Sequence, residues 1–387
     1  MFPKLRFKEF DGDLTESKLV ELTSWASGGT PAKDVPEYWG DDIPLISGAS
    51  MHTNQLYESD VKITKLGLQK GSKLALKDSI LILVRGSMLF NKIPMGITLG
   101  DVAFNQDVKC IRPKQQLAPL FLFQWLHAKE NTIQNKVTAT GIGAGKLDTA
   151  DLQNLKLYKP SLEEQTKIAT FLSAVDEKIS QLTQKHQLLR EYKQGMMQKL
   201  FSQQIRFKAD DGSEFGEWEG KELHQIFQIK AGGDIEKSSV SEVRTSEFSY
   251  PIFANSDKNK GFYGWANKFK YKEAVTVTGR GNLGIAVARN EPFYPIVRLL
   301  VLLPLVKQNL KFFEEQINLL DIVSESTGVP QLTAPQLSKY KVNVPSLEEQ
   351  TKIANFLSSI DQKIEVVAQQ IEQAKQWKKG LLQQMFI

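Results

Sequence analysis

The chain has little of what secreted proteins and metalloenzymes rely on. One cysteine, Cys110, in 387 residues excludes an internal disulfide framework, and a single thiol with four scattered histidines offers no zinc-ligand spacing. A reducing compartment is expected. The opening MFPKLRFKEFDGD has no apolar core of signal-peptide length, and the longest apolar stretch, Leu299 to Val306, is broken by Pro304 and too short to span a bilayer. A soluble, cytoplasmic protein is expected. Neither sign of charge dominates: a formal +5 permits a polyanionic partner without demanding one.

Catalytic signatures are also missing. Gly279 to Gly284 fits GxGxxG, but Ile285 to Arg289 then reads as a strand rather than a helix, so no dinucleotide site is expected. Gly141 to Lys146 resembles a phosphate loop only in part, since Leu147 stands where Ser or Thr is needed and Thr140 precedes the run. Asn290-Glu291-Pro292-Phe293 resembles the Asn-Pro-Pro-Phe of adenine methyltransferases, but Glu291 replaces a key proline. No paired carboxylates or nucleophile motif stands out. The chain is expected to have no catalytic and no metal-binding residues.

What is present is a repeat. Residues 160–172 read PSLEEQTKIATFL and residues 345–357 read PSLEEQTKIANFL, identical at twelve of thirteen positions with a displacement of 185. The same displacement relates Gly143 to Gly328, Leu147 to Leu332, Leu152 to Leu337, Asp176 to Asp361, Lys178 to Lys363, Gly195 to Gly380 and Phe201 to Phe386. Each copy places Ser161 or Ser346 as N-cap with Glu164 or Glu349 three residues on, the pattern of a capping box that opens a helix.

Apolar residues then step by four and three. The first copy gives Ile168, Leu172, Val175, Ile179 and Leu182, continuing through His186, Leu189, Lys193, Met196 and Leu200. The second gives Ile353, Leu357, Ile360, Ile364 and Val367, continuing through Ile371, Ala374, Lys378, Leu381 and Met385. A heptad seam of this length predicts two helices of roughly 38 residues, ~57 Å each. So narrow a seam needs a partner, and the simplest is the other copy; the competing possibility is that each helix lies on its own domain. Lys193 and Lys378 interrupt the seams at matching places, and their stems are expected to cover the seam while the ammonium groups reach water.

The repeat also closes on itself. Phe201 to Lys208 reads FSQQIRFK after the first helix, whereas the second ends at Phe386-Ile387 and the matching continuation, Pro3 to Lys8, stands at the amino terminus. Adjacent termini, antiparallel helices and a pseudo-two-fold axis follow.

Domain-sized segments, 1–158 and 204–343, alternate with the helical regions 159–203 and 344–387. Their short apolar runs (Ser79 to Val84, Ala274 to Thr278, Ile296 to Leu303) indicate strands, and each ends in a helix near Pro119 to Ala128 or Asn309 to Leu320. The expected fold class is α+β. The segments diverge, yet both keep a basic stretch. Lys62, Lys65, Lys70, Lys73, Lys77, Arg85 and Lys92 stand in one, against Asp78. Lys258, Lys260, Lys268, Lys270, Lys272, Arg280 and Arg289 stand in the other, against Asp257 and Glu273. Each stretch has a strand ending at Arg-Gly, in Arg85-Gly86-Ser87 and Arg280-Gly281-Asn282. Either alone reads as an ordinary solvated face; the duplication points to two surfaces facing phosphates. Nearby Asn255, Phe262, Tyr263, Trp265 and Asn267 suit either base edges or a packed hairpin, with packing favoured.

The order of variable segment and PSLEEQ-type helix, twice over, resembles the specificity subunits of type I restriction-modification systems along essentially the whole chain. Gly28-Gly29-Thr30-Pro31 and Tyr38-Trp39-Gly40 look like the opening of many first recognition domains. Leu45 to Met51 departs from the family, which often has Trp and an acid there, so base preference does not carry over. The resemblance implies two target-recognition domains separated by two long antiparallel coiled-coil helices. Each domain would read half of a split, asymmetric site in double-stranded DNA, and the helices would dock two methyltransferase subunits, with motor-nuclease subunits joining them. S-adenosylmethionine, ATP and magnesium would belong to those partners, leaving this chain non-catalytic and without a cofactor. The DNA contacts expected are Arg85, Ser87, Lys92, Lys73 and Lys77 in the first domain and Asn255, Lys258, Lys260, Arg280 and Asn282 in the second.

Overall fold

The computed structural model describes residues 3–141, 143–322 and 331–386. Gly328, the repeat partner of Gly143, lies outside them. The chain divides into two compact units, Met1–Gln184 with Ala368–Ile387, and Lys185–Val367. Each long helix contributes one half to each unit.

In the first unit a five-stranded sheet orders Thr23–Ser27, Val108–Pro113, Ile80–Leu83, Met95–Thr98 and Gln55–Leu56. A four-stranded sheet orders Lys62–Ile63, Trp39–Ile46, Val102–Phe104 and Lys73–Ala75. Ile80–Leu83 is buried at all four positions, as the continuous apolar run requires. The helix Pro119–Ala128 starts on a proline, whose missing N–H costs nothing at a first turn, and buries Phe121 to Leu126. That core continues into the long helix Leu162–Phe201 through Ile168, Leu172 and Val175, and takes in Leu381 and Met385 of the other long helix, Leu347–Met385. Glu164 and Ile168 line one small cavity with Met385 and Phe386, whereas Asp176 meets Lys378. As the number rises along one helix it falls along the other, so the pair is antiparallel.

The second unit repeats the plan. One sheet orders Phe227–Ala231, Leu300–Pro304, Ala274–Val277 and Ala286–Arg289; another orders Val240–Ser241, Phe262–Ala266, Tyr250–Phe253 and Tyr294–Pro295. The helix Leu310–Ile317 packs Phe312 and Phe313 into a core shared with Leu200, Ile353, Leu357 and Ile360. All ten leading seam residues are inside or half-inside: Ile168, Leu172, Val175, Leu182, Ile353, Leu357, Ile360 and Val367 are buried, while Ile179 and Ile364 are partly so. The helices run 40 and 39 residues.

Within each unit the PSLEEQ motif does the same work. Ser161 Oγ caps the Glu164 amide at 3.2 Å, and Ser346 Oγ caps that of Glu349 at 3.3 Å. The second half of the expected capping box is not what the glutamates do. Arg6 takes both oxygens of Glu164, at 2.7 and 2.8 Å, and donates to Gly12 O; Arg206 takes both of Glu349, at 3.1 and 2.9 Å, and donates to Gly216 O. A forked guanidinium outcompetes a helix-end amide for a buried carboxylate. The glutamines fasten the domain helices: Gln165 Oε1 accepts from Ala118 N at 2.9 Å, and Gln350 Oε1 from Asn309 N at 3.0 Å.

Two expectations meet opposite outcomes. The repeat does close: Leu5 N–H donates to Gln384 O at 2.9 Å, as Ile205 N–H donates to Lys199 O at 3.3 Å, and positions 199 and 384 are repeat equivalents. The seam lysines, however, do not carry their charge to water. Lys378 Nζ lies 2.5 Å from Asp176, and Lys193 Nζ lies 2.9 Å from Glu315 and 2.8 Å from Asp361. Aspartates of the partner helix, joined at Lys193 by Glu315 of the helix Leu310–Ile317, hold the ammonium groups where solvent would otherwise be needed.

Candidate nucleic-acid interface

The two Arg-Gly turns are built alike. In the first unit Ile80–Leu83 runs into Val84, whose carbonyl accepts from Leu147 N at 2.9 Å, and Arg85 bridges Lys146 antiparallel. In the second, Ala274–Val277 runs into Gly279, whose carbonyl accepts from Leu332 N at 2.9 Å, and Arg280 bridges Gln331 antiparallel. Leu147 and Leu332 are repeat equivalents, so Arg85 and Arg280 hold corresponding positions. The glycines that follow have φ of +143° at Gly86 and +68° at Gly281, a backbone region that side chains avoid. Both arginines are exposed.

Ser87 opens the 3₁₀ turn Ser87–Phe90, and Lys92, at its far end, donates its amide to Met88 O; both side chains are exposed. Glu130 and Gln134 pin the turn's exit through Ile93 N and Phe90 O. Arg85, Ser87 and Lys92 therefore share one short surface segment. Lys73 and Lys77 are exposed too but belong elsewhere: Lys73 lies in the four-stranded sheet opposite Phe104, and Lys77 leaves it with its amide on Asp101.

The second unit ties its residues together more closely. Asn255 Oδ1 accepts from Gly279 N at 2.7 Å, and Asn282 Nδ2 donates to Asp257 at 2.5 Å. Those two amides link the 255–261 loop to the Arg280 turn. Lys258 and Lys260 are exposed on that loop. Arg289, counted among the basic residues of the second stretch, is not on the surface. It is 8% exposed, with its guanidinium 3.5 Å from the Phe253 ring centroid and Nε on Thr276. Burial pulls its pKa down to about 10, against the attraction of Glu314, so it stays charged at neutral pH. The Phe262 to Trp265 run is a strand paired with Tyr250–Phe253, and Phe262 packs on Trp265 with ring centroids 5.3 Å apart. Tyr263 alone of those aromatics is exposed.

Three residues of these surfaces are not singled out by the sequence pattern. Lys146 sits opposite Arg85, where cross-strand side chains share a face; the sequence marks it as the end of the incomplete phosphate-loop match and as the neighbour of Leu147, a repeat match, not as a partner of Arg85. Arg244 stacks over the Trp265 ring at 4.9 Å, in a stretch with no repeat partner. Asn259 projects from the 255–261 loop. Among the described residues no group of His, Cys, Asp and Glu is placed to hold a metal, and no helix is long and apolar enough to cross a membrane.

Duplicated α+β domains with matching basic turns, joined to a pair of long helices, define a binding protein with two heads. The chain belongs to the family of the type I restriction modification DNA specificity domain, whose model matches residues 12–190 and 216–376. It is 30% identical over 216 residues to the putative type I specificity subunit S.MpnORF507P of Mycoplasma pneumoniae, across 56% of this chain and 58% of that one. It is 29% identical over 182 residues to the EcoR124I/EcoR124II specificity subunit of Escherichia coli, across 46% of this chain and 45% of that one. The chain thus spans about half the length of these two relatives. With the MjaVIII specificity subunit of Methanocaldococcus jannaschii, 25% identity extends over 412 residues, 97% of this chain and 94% of that one. The crystal structure of a type I restriction-modification S subunit from M. genitalium shares the fold, with a TM-score of 0.65 at 18% identity over 100% of this chain and 99% of that one.

Proposed function

We propose that this chain is a non-catalytic specificity subunit of a type I restriction-modification complex, reading a two-part, asymmetric site in double-stranded DNA. The recognition domains are residues 1–158 and 204–343, and the helical regions 159–203 and 344–387 dock two methyltransferase subunits, to which motor-nuclease subunits add. S-adenosylmethionine, ATP and magnesium act in those partners, in the cytoplasm. Family membership gives the class. The observation that carries the DNA assignment is the recurrence of an exposed Arg-Gly turn at corresponding places in two domains whose sequences have otherwise diverged.

In this reading Arg85 and Arg280 pair with guanine or phosphate. Ser87, Lys92, Lys73, Lys77, Lys258 and Lys260 serve the backbone, fixing position rather than sequence. Asn255 and Asn282, each with a side-chain atom already engaged inside the domain, brace the second Arg-Gly turn and offer DNA only their remaining amide groups.

Mapping methylated adenines in DNA exposed to the reconstituted methyltransferase tests the function. A split motif is expected; an unsplit motif, or one unchanged when the second domain is exchanged for another, overturns it. Substituting Lys92, Lys258 or Lys260 by alanine should weaken binding to all sequences alike. Each such change should also lower the slope of log affinity against log salt by about one, as one fewer phosphate is neutralised. Affinity indifferent to salt would remove the electrostatic role.

A further inference from the structure

We infer that residues 256–261 form a rigid reading finger in the second domain, with Asn259 at its tip discriminating bases and Arg289 acting as the positioning residue that holds the finger in shape. This rests on the DNA-reading function proposed above and names a reader that function did not supply.

The finger has an unusual backbone. Asn259, Lys260 and Gly261 follow one another with φ of +47°, +50° and +78°. Asparagine and glycine tolerate that region, but lysine does not, and such conformations persist only where the surroundings over-determine them. A Cβ on Gly261 would stand 2.6 Å from Ala254 O, so the turn has no slack.

The surroundings supply the determination. Gly261 O accepts from Ala254 N at 2.7 Å, and Ser256 Oγ accepts from Lys258 N at 3.2 Å. Asp257 is tied to Asn282, and Asn255 to Gly279, so the base of the finger is bonded at two points to the turn bearing Arg280. From beneath, buried Arg289 donates to Lys260 O, with Nε on Thr276 and its ring-facing side on Phe253. A buried guanidinium spent on one strained carbonyl is explicable if the position of the next side chains matters. Glu314, which faces Arg289 electrostatically and bonds Ala288 N, steadies that charge.

What the brace presents is polar and free. Lys258, Asn259 and Lys260 are all exposed, and Arg280 stands on the adjoining turn. Asn259 has its whole amide available, one donor and one acceptor side by side, the pattern that matches N6 and N7 of adenine in the major groove. Three flanking cations suit phosphates on either side of such a contact.

The test is selection from a duplex library with randomised positions, using the full chain assembled with its methyltransferase. Wild type should select a two-part motif. Asn259→Gly, which removes the amide and keeps a residue at home in the left-handed region, should flatten about one or two adjacent positions of one half, with discrimination there falling about tenfold. The other half and the affinity for unrelated duplex should stay within about twofold of wild type. Arg289→Lys should flatten the same positions; a merely structural arginine would lower the melting temperature and leave the selected motif unchanged. A two-part motif from wild type that Asn259→Gly reproduces unaltered overturns the finger and leaves the broader function standing. Wild type selecting no motif at all overturns both.

Discussion

Glu349 is completely buried, with Arg206 across both its oxygens and the Trp218 indole N–H 3.1 Å from one of them. A buried carboxylate stripped of its cation cannot recover water, so Arg206→Ala should destabilise the second unit by about 3 kcal/mol. Urea titration followed by circular dichroism would read this as a lower midpoint. A loss below about 0.5 kcal/mol would mean the pair is not carrying the junction between helix start and domain. Replacing both partners by apolar residues of similar size should cost far less than the single change, because no charge is left unpaired. The capping pattern places Glu349 correctly at a helix start but assigns its side chain to the wrong bond, since its true partner lies 143 residues away. Asn255 and Asn282 also have partners that lie far along the chain, Gly279 N–H and Asp257. Their residue type suggests base edges, and nothing local signals that loop closure uses them first.

The long helices are the most legible elements, because a heptad seam is periodic and local and its capping serine stands immediately before it. The sheets of the domains are legible only as short apolar runs. Their order, with Val108–Pro113 between Thr23–Ser27 and Ile80–Leu83, depends on pairings between residues far apart in the chain, such as Lys109 with Ser27, which no period encodes. The lysines inside the seams show what periodicity misses. Asp176 pairs with Lys378, and the repeat equivalents Asp361 and Lys193 pair in return. Each ammonium thus meets the other helix's aspartate, and the match is satisfied in only one antiparallel register, the use to which charged seam residues are best suited. A double-mutant cycle of Lys378→Met with Asp176→Asn should give a coupling of about 1–2 kcal/mol in thermal or urea unfolding. The Lys193 pair should be cheaper to break, since Lys311 stays 2.7 Å from Glu315 and 3.3 Å from Asp361 when Lys193 is gone. A coupling near zero would assign the register to the apolar residues alone.

At the scale of the whole molecule, the repeat makes the chain's starting point arbitrary. The segment Leu5 to Phe7 does for one unit what Ile205 to Phe207 does for the other. Leu5 and Ile205 bond the ends of the long helices, Arg6 and Arg206 take the buried glutamates, and Phe7 and Phe207 pack on Phe171 and Phe356 with ring centroids 5.7 and 5.5 Å apart. In one case the peptide chain runs continuously from helix to segment; in the other it does not, yet the interactions are the same. The covalent link is therefore not what places the segment. A permuted chain that begins at Gln204, ends at Gln203 and joins the original ends through a short Gly/Ser linker should keep every one of these interactions. Closing so short a loop changes chain entropy only slightly. Its melting temperature should fall within a few degrees of the parent, and, on the function proposed above, it should select the same DNA motif. A permuted chain that aggregates, or that folds but selects a different motif, would show that continuity between Phe201 and Lys208 carries information that the packing alone does not.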